Sequence, residues 1–164
     1  MRHDIVQPNT IALAPMTRAL CRQFYQGFQT DPALYADPSQ CVPYRYSDAW
    51  ADAYFVRQME KQRIHLAIMQ GDAPVGEILL KEIDRANGTC SLSIHLQNDG
   101  VKGQGVGTAA ERLALQYAFR DCGFRIVNAD AIIANTRSQH VLEKVGFRFV
   151  REENGFRYYT CPRP

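Results

Sequence analysis

The stretch Val101 to Phe119, VKGQGVGTAAERLALQYAF, puts Gly103, Gly105 and Gly107 at alternate positions directly before an Ala- and Leu-rich amphipathic segment. A helix starting there exposes unpaired N–H groups and about half a unit of positive charge. Glycines remove the Cβ atoms that would hold a phosphate away, so the chemistry favoured is anion binding. A P-loop would need GxxxxGK[ST], and Gly103 to Thr108 lacks the closing Lys-Ser/Thr pair. A dinucleotide fingerprint, GxGxxG, is only approached by Gly105, Gly107 and Ala110. That fingerprint also expects a βαβ unit and an acidic residue about 20 positions on, whereas here hairpin-linked strands come first.

The chain that must position this entrance has 164 residues, enough for one domain with a single sizeable core. With 46% apolar and 22% charged residues it is neither disordered nor fibrous in type. A net charge of +2 is too small for a nucleic-acid binder and leaves a single polyanionic ligand open. No apolar run approaches the roughly 20 residues of a membrane span, and MRHDIVQPNTIALAPM has no signal-peptide core, so a cytoplasmic protein without membrane contact is expected. Cys21, Cys41, Cys90, Cys122 and Cys161 are scattered and never in CxxC spacing, which predicts reduced thiols and neither a disulfide frame nor a metal site.

Period and punctuation predict a mixed α/β order. TIALAPMT suits a first strand, and MTRALCRQFYQGF a helix with Leu20, Phe24 and Phe28 as its stripe. Pro32, Pro38 and Pro43 break the next segment. Ser47 caps a second helix marked on one side by Trp50, Tyr54 and Met59. IHLAIMQ, PVGEILLKEI and TCSLSIHLQ then read as an antiparallel meander with turns at Gly71-Asp72 and Asn87-Gly88, the latter expected to be a tight hairpin with both central residues at positive φ. The glycine-entered helix runs to Phe119 with Ala110, Leu113, Ala114, Tyr117 and Ala118 on one face. FRIVNADAII is a strand, NTRSQHVLEKVGF a short helix closed by Gly146, and the tail a hairpin around Asn154-Gly155 in which one of Tyr158 and Tyr159 faces inward.

Two of these segments together resemble the GNAT superfamily of acetyl-coenzyme A dependent N-acyltransferases. Its pyrophosphate loop is Gln/Arg-x-x-Gly-x-Gly/Ala; Lys102, Gly105 and Gly107 are similar to it, with Lys102 in the first place. Its second signature, an Asn, a small residue three on and then Glu-Lys-x-Gly-Phe, is similar to Asn135, Ser138, Glu143, Lys144, Gly146 and Phe147. The resemblance covers Thr89 to Phe147. Before Ile64 it rests on layout, except that the L.PMT start and the DP element resemble the RimJ/RimL-type branch containing ribosomal-protein N-terminal acetyltransferases.

The resemblance implies a GNAT fold: a central mixed sheet of six to seven strands, an antiparallel N-terminal meander, splayed central strands and flanking helices. It implies acetyl transfer from acetyl-CoA to a primary amine, without a metal, to a small molecule or a protein N-terminus, in a family where homodimers are common. Pyrophosphate would sit on Lys102, Gly103, Gln104, Gly105, Val106, Gly107 and Thr108. Free N–H groups near Ile94 to Leu96 would meet the acyl carbonyl and pantetheine, and Asn135 would contact coenzyme A by its side chain. Where many relatives carry a tyrosine before Glu-Lys-x-Gly-Phe, this chain has Leu142. Ser138, one helical turn earlier, is then a candidate acid for the departing thiolate, or a packing residue, or a coenzyme A contact. Candidate bases are Glu77 and His95 on strands bordering the acceptor cleft, with a solvated face for Glu77, a partly buried satisfied site for His95, or a bound water as alternatives. Tyr44, Tyr46, Trp50 and Tyr54 read as core or rim and otherwise as acceptor-pocket walls, and His140 as surface. A module that binds acyl-coenzyme A without turnover is the alternative left by Leu142.

Overall fold

The computed structural model describes residues 10–31, 37–41, 44–97 and 105–164, so Lys102, Gly103 and Gln104 lie outside the described residues. Strand β1 (Ile11–Pro15) leads to α1 (Arg18–Gln26), whose cap Thr17 accepts from the Leu20 N–H. A 3-10 turn at Pro38–Gln40 precedes α2 (Asp48–Glu60), which begins behind the expected cap, Ser47. The meander follows as β2 (Ile64–Gln70), β3 (Ala73–Asp84) and β4 (Thr89–Leu96). Then come α3 (Val106–Gln116), β5 (Ile126–Ile132), α4 (Thr136–Val145), β6 (Arg148–Glu153) and β7 (Phe156–Pro162).

The seven strands form one sheet in the order β1-β2-β3-β4-β5-β7-β6. All neighbours are antiparallel except β4 and β5, whose parallel register stops after Thr89↔Ile126, Cys90↔Val127 and Ser91↔Asn128. Beyond Ser91 the two strands part, and β5 continues alongside β7 as far as Ile132↔Phe156. The mixed sheet and its splayed centre are those the resemblance implies.

Alternation along β2 to β4 assigns side chains to two cores. Leu66, Ile68, Ile78, Leu80, Cys90 and Leu92 join Ala110, Ala114 and Ala118 of α3 and Leu142 of α4. On the opposite face Ala67 joins Met16 and the α1 residues Cys21, Phe24 and Tyr25, with Tyr44, Tyr54 and Phe55 packed around them. Strand β3 is covered on both faces, and its residues Pro74 to Leu80 are buried without a break. Small residues at Ala110, Ala114 and Ala118 let α3 lie close to the sheet.

Several expectations need correction. Met59 is 62% exposed and Trp50 39%, so the second helix turns Ala51 and Gln58 inward instead of a Trp50-Tyr54-Met59 stripe. At Asn87-Gly88 only Gly88 has positive φ; Asp84 accepts from the Asn87 N–H at 3.0 Å, and the Gly88 carbonyl receives Arg125 and Ile126 N–H groups, tying this turn to the start of β5. The α-helical part of α3 stops at Gln116 and widens into a π turn over Tyr117–Asp121. Asn154 and Gly155 are both at positive φ, and Gly146 ends α4 in the left-handed region, as their residue types predict. Tyr159 is the inward member of its pair.

Glu111 interrupts the apolar face of α3. It is 1% exposed, its Oε2 has no hydrogen-bond partner, and burial pushes its pKa from an ordinary 4.5 up to about 8. The folded state therefore holds this proton more tightly than the unfolded chain does, and a penalty grows as pH rises from about 4.5 to about 8. Glu111→Leu is expected to stabilise the fold by ~2 kcal/mol at pH 8 and by much less at pH 5. Thermal midpoints of both proteins at the two pH values check this; a variant no more stable at pH 8 would contradict it.

Candidate active site

Where β4 leaves β5, the β4 edge turned away from β3 has no strand partner beyond Ser91, while the other edge stays paired to β3 as far as Leu96↔Gly76. Peptide groups near Ile94 to Leu96 on that open edge are thus available to a ligand. Next to it lies a groove of about 490 Å³ bounded by Leu96, Gly105, Gly107 and Thr108 and by the α4 residues Thr136, Arg137, His140, Val141 and Lys144. A depression of about 590 Å³ lies on the other side of the α3 start, between α3 and Ile11 and Gln70. Although larger, it does not border the separation of β4 and β5, and the groove is the candidate site.

The start of α3 differs from the other helices. Thr17, Ser47 and Asn135 cap α1, α2 and α4 by side-chain hydrogen bonds, whereas α3 starts behind Gly105 with no side-chain cap and no acidic residue in its first turn. Among the described residues no side chain pairs with its first N–H groups, which border the groove. Gly105 has φ +77, and among the described residues a Cβ built there would meet nothing within 4 Å; at Gly107 it would meet Leu96 Cδ1 at 3.9 Å. The space that side chains would fill is open, as a bound pyrophosphate requires. Arg137 and Lys144 line the same groove and add positive charge. The donor set therefore fits a polyphosphate ligand such as coenzyme A.

The remaining candidates divide. Val106 is buried beneath the entrance, and Ile94 packs against the core. Asn135 is the α4 cap, its Oδ1 accepting from the Ser138 N–H at 3.1 Å. That leaves its amide nitrogen as the group a ligand would meet. Ser138 is half-buried, one turn before buried Leu142 on the α4 face turned to the sheet. His140 is exposed, as a surface reading predicts, yet its exposed side borders the groove. Arg137 and Val141 escaped the sequence reading because nothing in their types separates a groove-facing from a solvent-facing helix position.

Glu77 sits on the opposite face of the sheet, and neither a solvated face nor an open cleft position describes it. Its side chain is 0% exposed. Oε1 accepts from the Tyr25 hydroxyl, from the Tyr54 hydroxyl at 2.7 Å and from His95 Nδ1 at 3.1 Å; Oε2 accepts from His65 Nε2 at 2.6 Å. Burial alone would raise its pKa, but the hydrogen bonds from His65, His95 and Tyr25 outweigh it and hold the carboxyl at about 2. Burial and the neighbouring carboxylate push Tyr25 and Tyr54 upward, so both remain proton donors. His65 Nδ1 is buried without a partner, as suits a lone pair on the tautomer that donates through Nε2. His95 is 51% exposed in its side chain. With Nδ1 donating to Glu77, its Nε2 is the open nitrogen. Tyr25, Tyr54 and His65 were not foreseen as a set with Glu77, although His65 and Glu77 do fall on one face of adjacent strands once the register Ala67↔Glu77 is known.

Residues 11–148 match the family model described as Acetyltransferase (GNAT) domain. No curated protein matches the sequence. Among solved structures, a chimera of spermidine N-acetyltransferase SpeG from Vibrio cholerae and hSSAT superposes with a TM-score of 0.74 at 16% identity, covering 93% of this chain and 95% of that one. The aminoglycoside acetyltransferase AAC(6')-Ib in complex with coenzyme A gives 0.74 at 18% identity, covering 94% and 95%. The microcin C7 self-immunity acetyltransferase MccE, in complex with acetyl-CoA and AMP, gives 0.70 at 18% identity, covering 93% and 92%. Among the described residues no group of His, Cys, Asp and Glu could hold a metal ion, and no helix is long and apolar enough to cross a membrane.

The stability that Glu77 contributes is fully present above its ordinary 4.5 and lost as pH falls toward about 2. Glu77→Gln keeps the volume but sets an amide among donors, and a loss of ~3 kcal/mol at pH 7 is expected. Urea unfolding at pH 7 and pH 3 checks it: the gap between the two proteins should narrow at the lower pH, and equal stability at pH 7 would contradict the network.

Proposed function

Because the chain belongs to the GNAT acetyltransferase family, we propose that it moves an acetyl group from acetyl-CoA to a primary amine by direct attack while both substrates are bound. The observation that carries the proposal is the uncapped, glycine-cleared start of α3 opening onto the free edge of β4. Bound acetyl-CoA supplies an acyl group activated as a thioester. The α3 N–H groups, Thr108, Arg137 and Lys144 hold its phosphates, and the open β4 edge near Ile94 to Leu96 holds the pantetheine and offers an N–H to the acyl oxygen.

His95 takes the proton that the amine must lose, at Nε2, because Nδ1 is committed to Glu77. Glu77 is then a positioning residue: buried, saturated and held ionised, it fixes the His95 tautomer and ring orientation. As the N–C bond forms the C–S bond breaks, and the thiolate takes a proton from Ser138, directly or through water. Leu142 is in the apolar core and has none to give. Two structural neighbours are named for small-amine chemistry, spermidine in one and aminoglycosides in the other, which favours a small amine over a protein N-terminus.

Thiol release from acetyl-CoA across an amine panel tests the reaction. Coenzyme A binding without turnover of any amine would return the chain to the acyl-coenzyme A binding module. His95→Gln is expected to lower kcat about 100-fold and leave the KM for acetyl-CoA unchanged. An undiminished kcat would remove His95 from the base role. Gly107→Leu has room at its Cβ and should fold, yet weaken coenzyme A binding at least about 10-fold by calorimetry; undiminished affinity would move the pyrophosphate elsewhere.

A further inference from the structure

Around the Glu77 carboxylate the α1–α2 face of the sheet carries a connected wall of rings. Tyr25 meets Trp50 at 4.9 Å and Tyr54 at 5.0 Å, both edge to face, and Trp50 stacks on Tyr54 at 5.4 Å with the planes 11° apart. The wall continues through Tyr44, 5.4 Å from Trp50, to Phe28, 5.3 Å from Tyr44. Its near end adjoins His95. The Gln97 carbonyl accepts from the Gln29 N–H at 2.9 Å, and Gln97 Nε2 donates to the Phe24 carbonyl at 3.0 Å, so the segment bearing Phe28 lies against β4 two residues beyond His95 and on the same face.

The charges near this wall are already matched. Arg22 grips Asp52 through Nε at 2.8 Å and Nη2 at 2.6 Å and stands 3.6 Å from Asp48, which also accepts from the Tyr46 hydroxyl. The remaining charge is the one on Glu77, shared among four donors. One buried negative charge complements one ammonium at His95. A polycation would bring further charges to a wall whose described carboxylates are already engaged, whereas ring faces and edges favour a flat apolar group. Trp50 stays 39% exposed although it stacks on half-buried Tyr54, so part of its ring is open to such a group.

Resting on the acetyltransferase reading with His95 as base, we propose that the acceptor is a primary monoamine bearing an aromatic ring, which packs on Trp50 and Tyr44 while its nitrogen meets His95. The test compares phenethylamine and tyramine with hexylamine, spermidine and kanamycin at fixed acetyl-CoA. The aryl monoamines should show kcat/KM about 10-fold or more above the others. Trp50→Ala should raise the KM for the aryl amines about 10-fold with kcat little changed and coenzyme A affinity unaltered, and Trp50→Phe should recover most of the loss. Preference for spermidine or kanamycin, an equal effect of Trp50→Ala on every amine, or coenzyme A binding with no turnover of aryl amines would each overturn the proposal. Absence of coenzyme A binding in a parallel titration would instead overturn the acetyltransferase reading itself, and this proposal with it.

Discussion

A carboxylate cut off from water must be met by donors or it will not stay charged, and Glu77 imposes that requirement on five elements of the fold at once. Tyr25 comes from α1, Tyr54 from α2, His65 from β2 and His95 from β4, all converging on one residue of β3. Each donor is locked in turn: Tyr25 by ring contacts to Phe24, Phe28, Trp50 and Tyr54, and His65 by Tyr54 and Phe55. An apolar residue at 77 would take the shared acceptor from all four donors, three of them largely shielded from water under the two N-terminal helices. The packing of α1 and α2 is thus inseparable from the orientation of His95, the only member of the set with substantial exposure.

The other half of the molecule follows from a missing interaction. β4 and β5 pair over three residues and then separate, while β5 stays paired with β7 on its other edge throughout. The pairing is anchored where the Gly88 carbonyl receives two N–H groups from the start of β5, so the strands are pinned at one end and free at the other. Backbone groups left open in this way need a ligand or water, and the uncapped start of α3 presents the same need beside them. Two backbone sites with open hydrogen-bonding groups thus border one groove, and the glycines keep side chains out of it.

The sequence made the order of elements legible because it rests on local features: a Ser or Asn cap, a glycine past a helix end, alternation along β2 to β4. Ser47, Asn135, Gly146 and Asn154-Gly155 behave as their residue types require. Long-range features were not legible. Nothing near Glu77 in sequence indicates that Tyr25, 52 positions earlier, would donate to it. The α2 stripe misled because Trp50 and Met59 are apolar by type but stand at the outer side of a helix whose inner side is taken by Ala51 and Gln58. Asn87-Gly88 lost its tight hairpin because Asp84 and Arg125 supply a competing set of hydrogen bonds.

The alternation of β4 joins the two halves. His95 and Leu96 are adjacent, so they project to opposite faces of the sheet, His95 toward Glu77 and the ring wall, Leu96 toward the groove below α3. A thioester held from the groove side and an amine held from the ring-wall side would be separated by a full sheet wherever β4 and β5 are paired. They can meet only past Ser91, where the sheet has an opening one strand deep. On the proposed reaction the buried carboxylate and the strand separation are parts of one arrangement: the first aims His95 at the opening, and the second makes the opening through which the proposed base and the acyl group would reach each other.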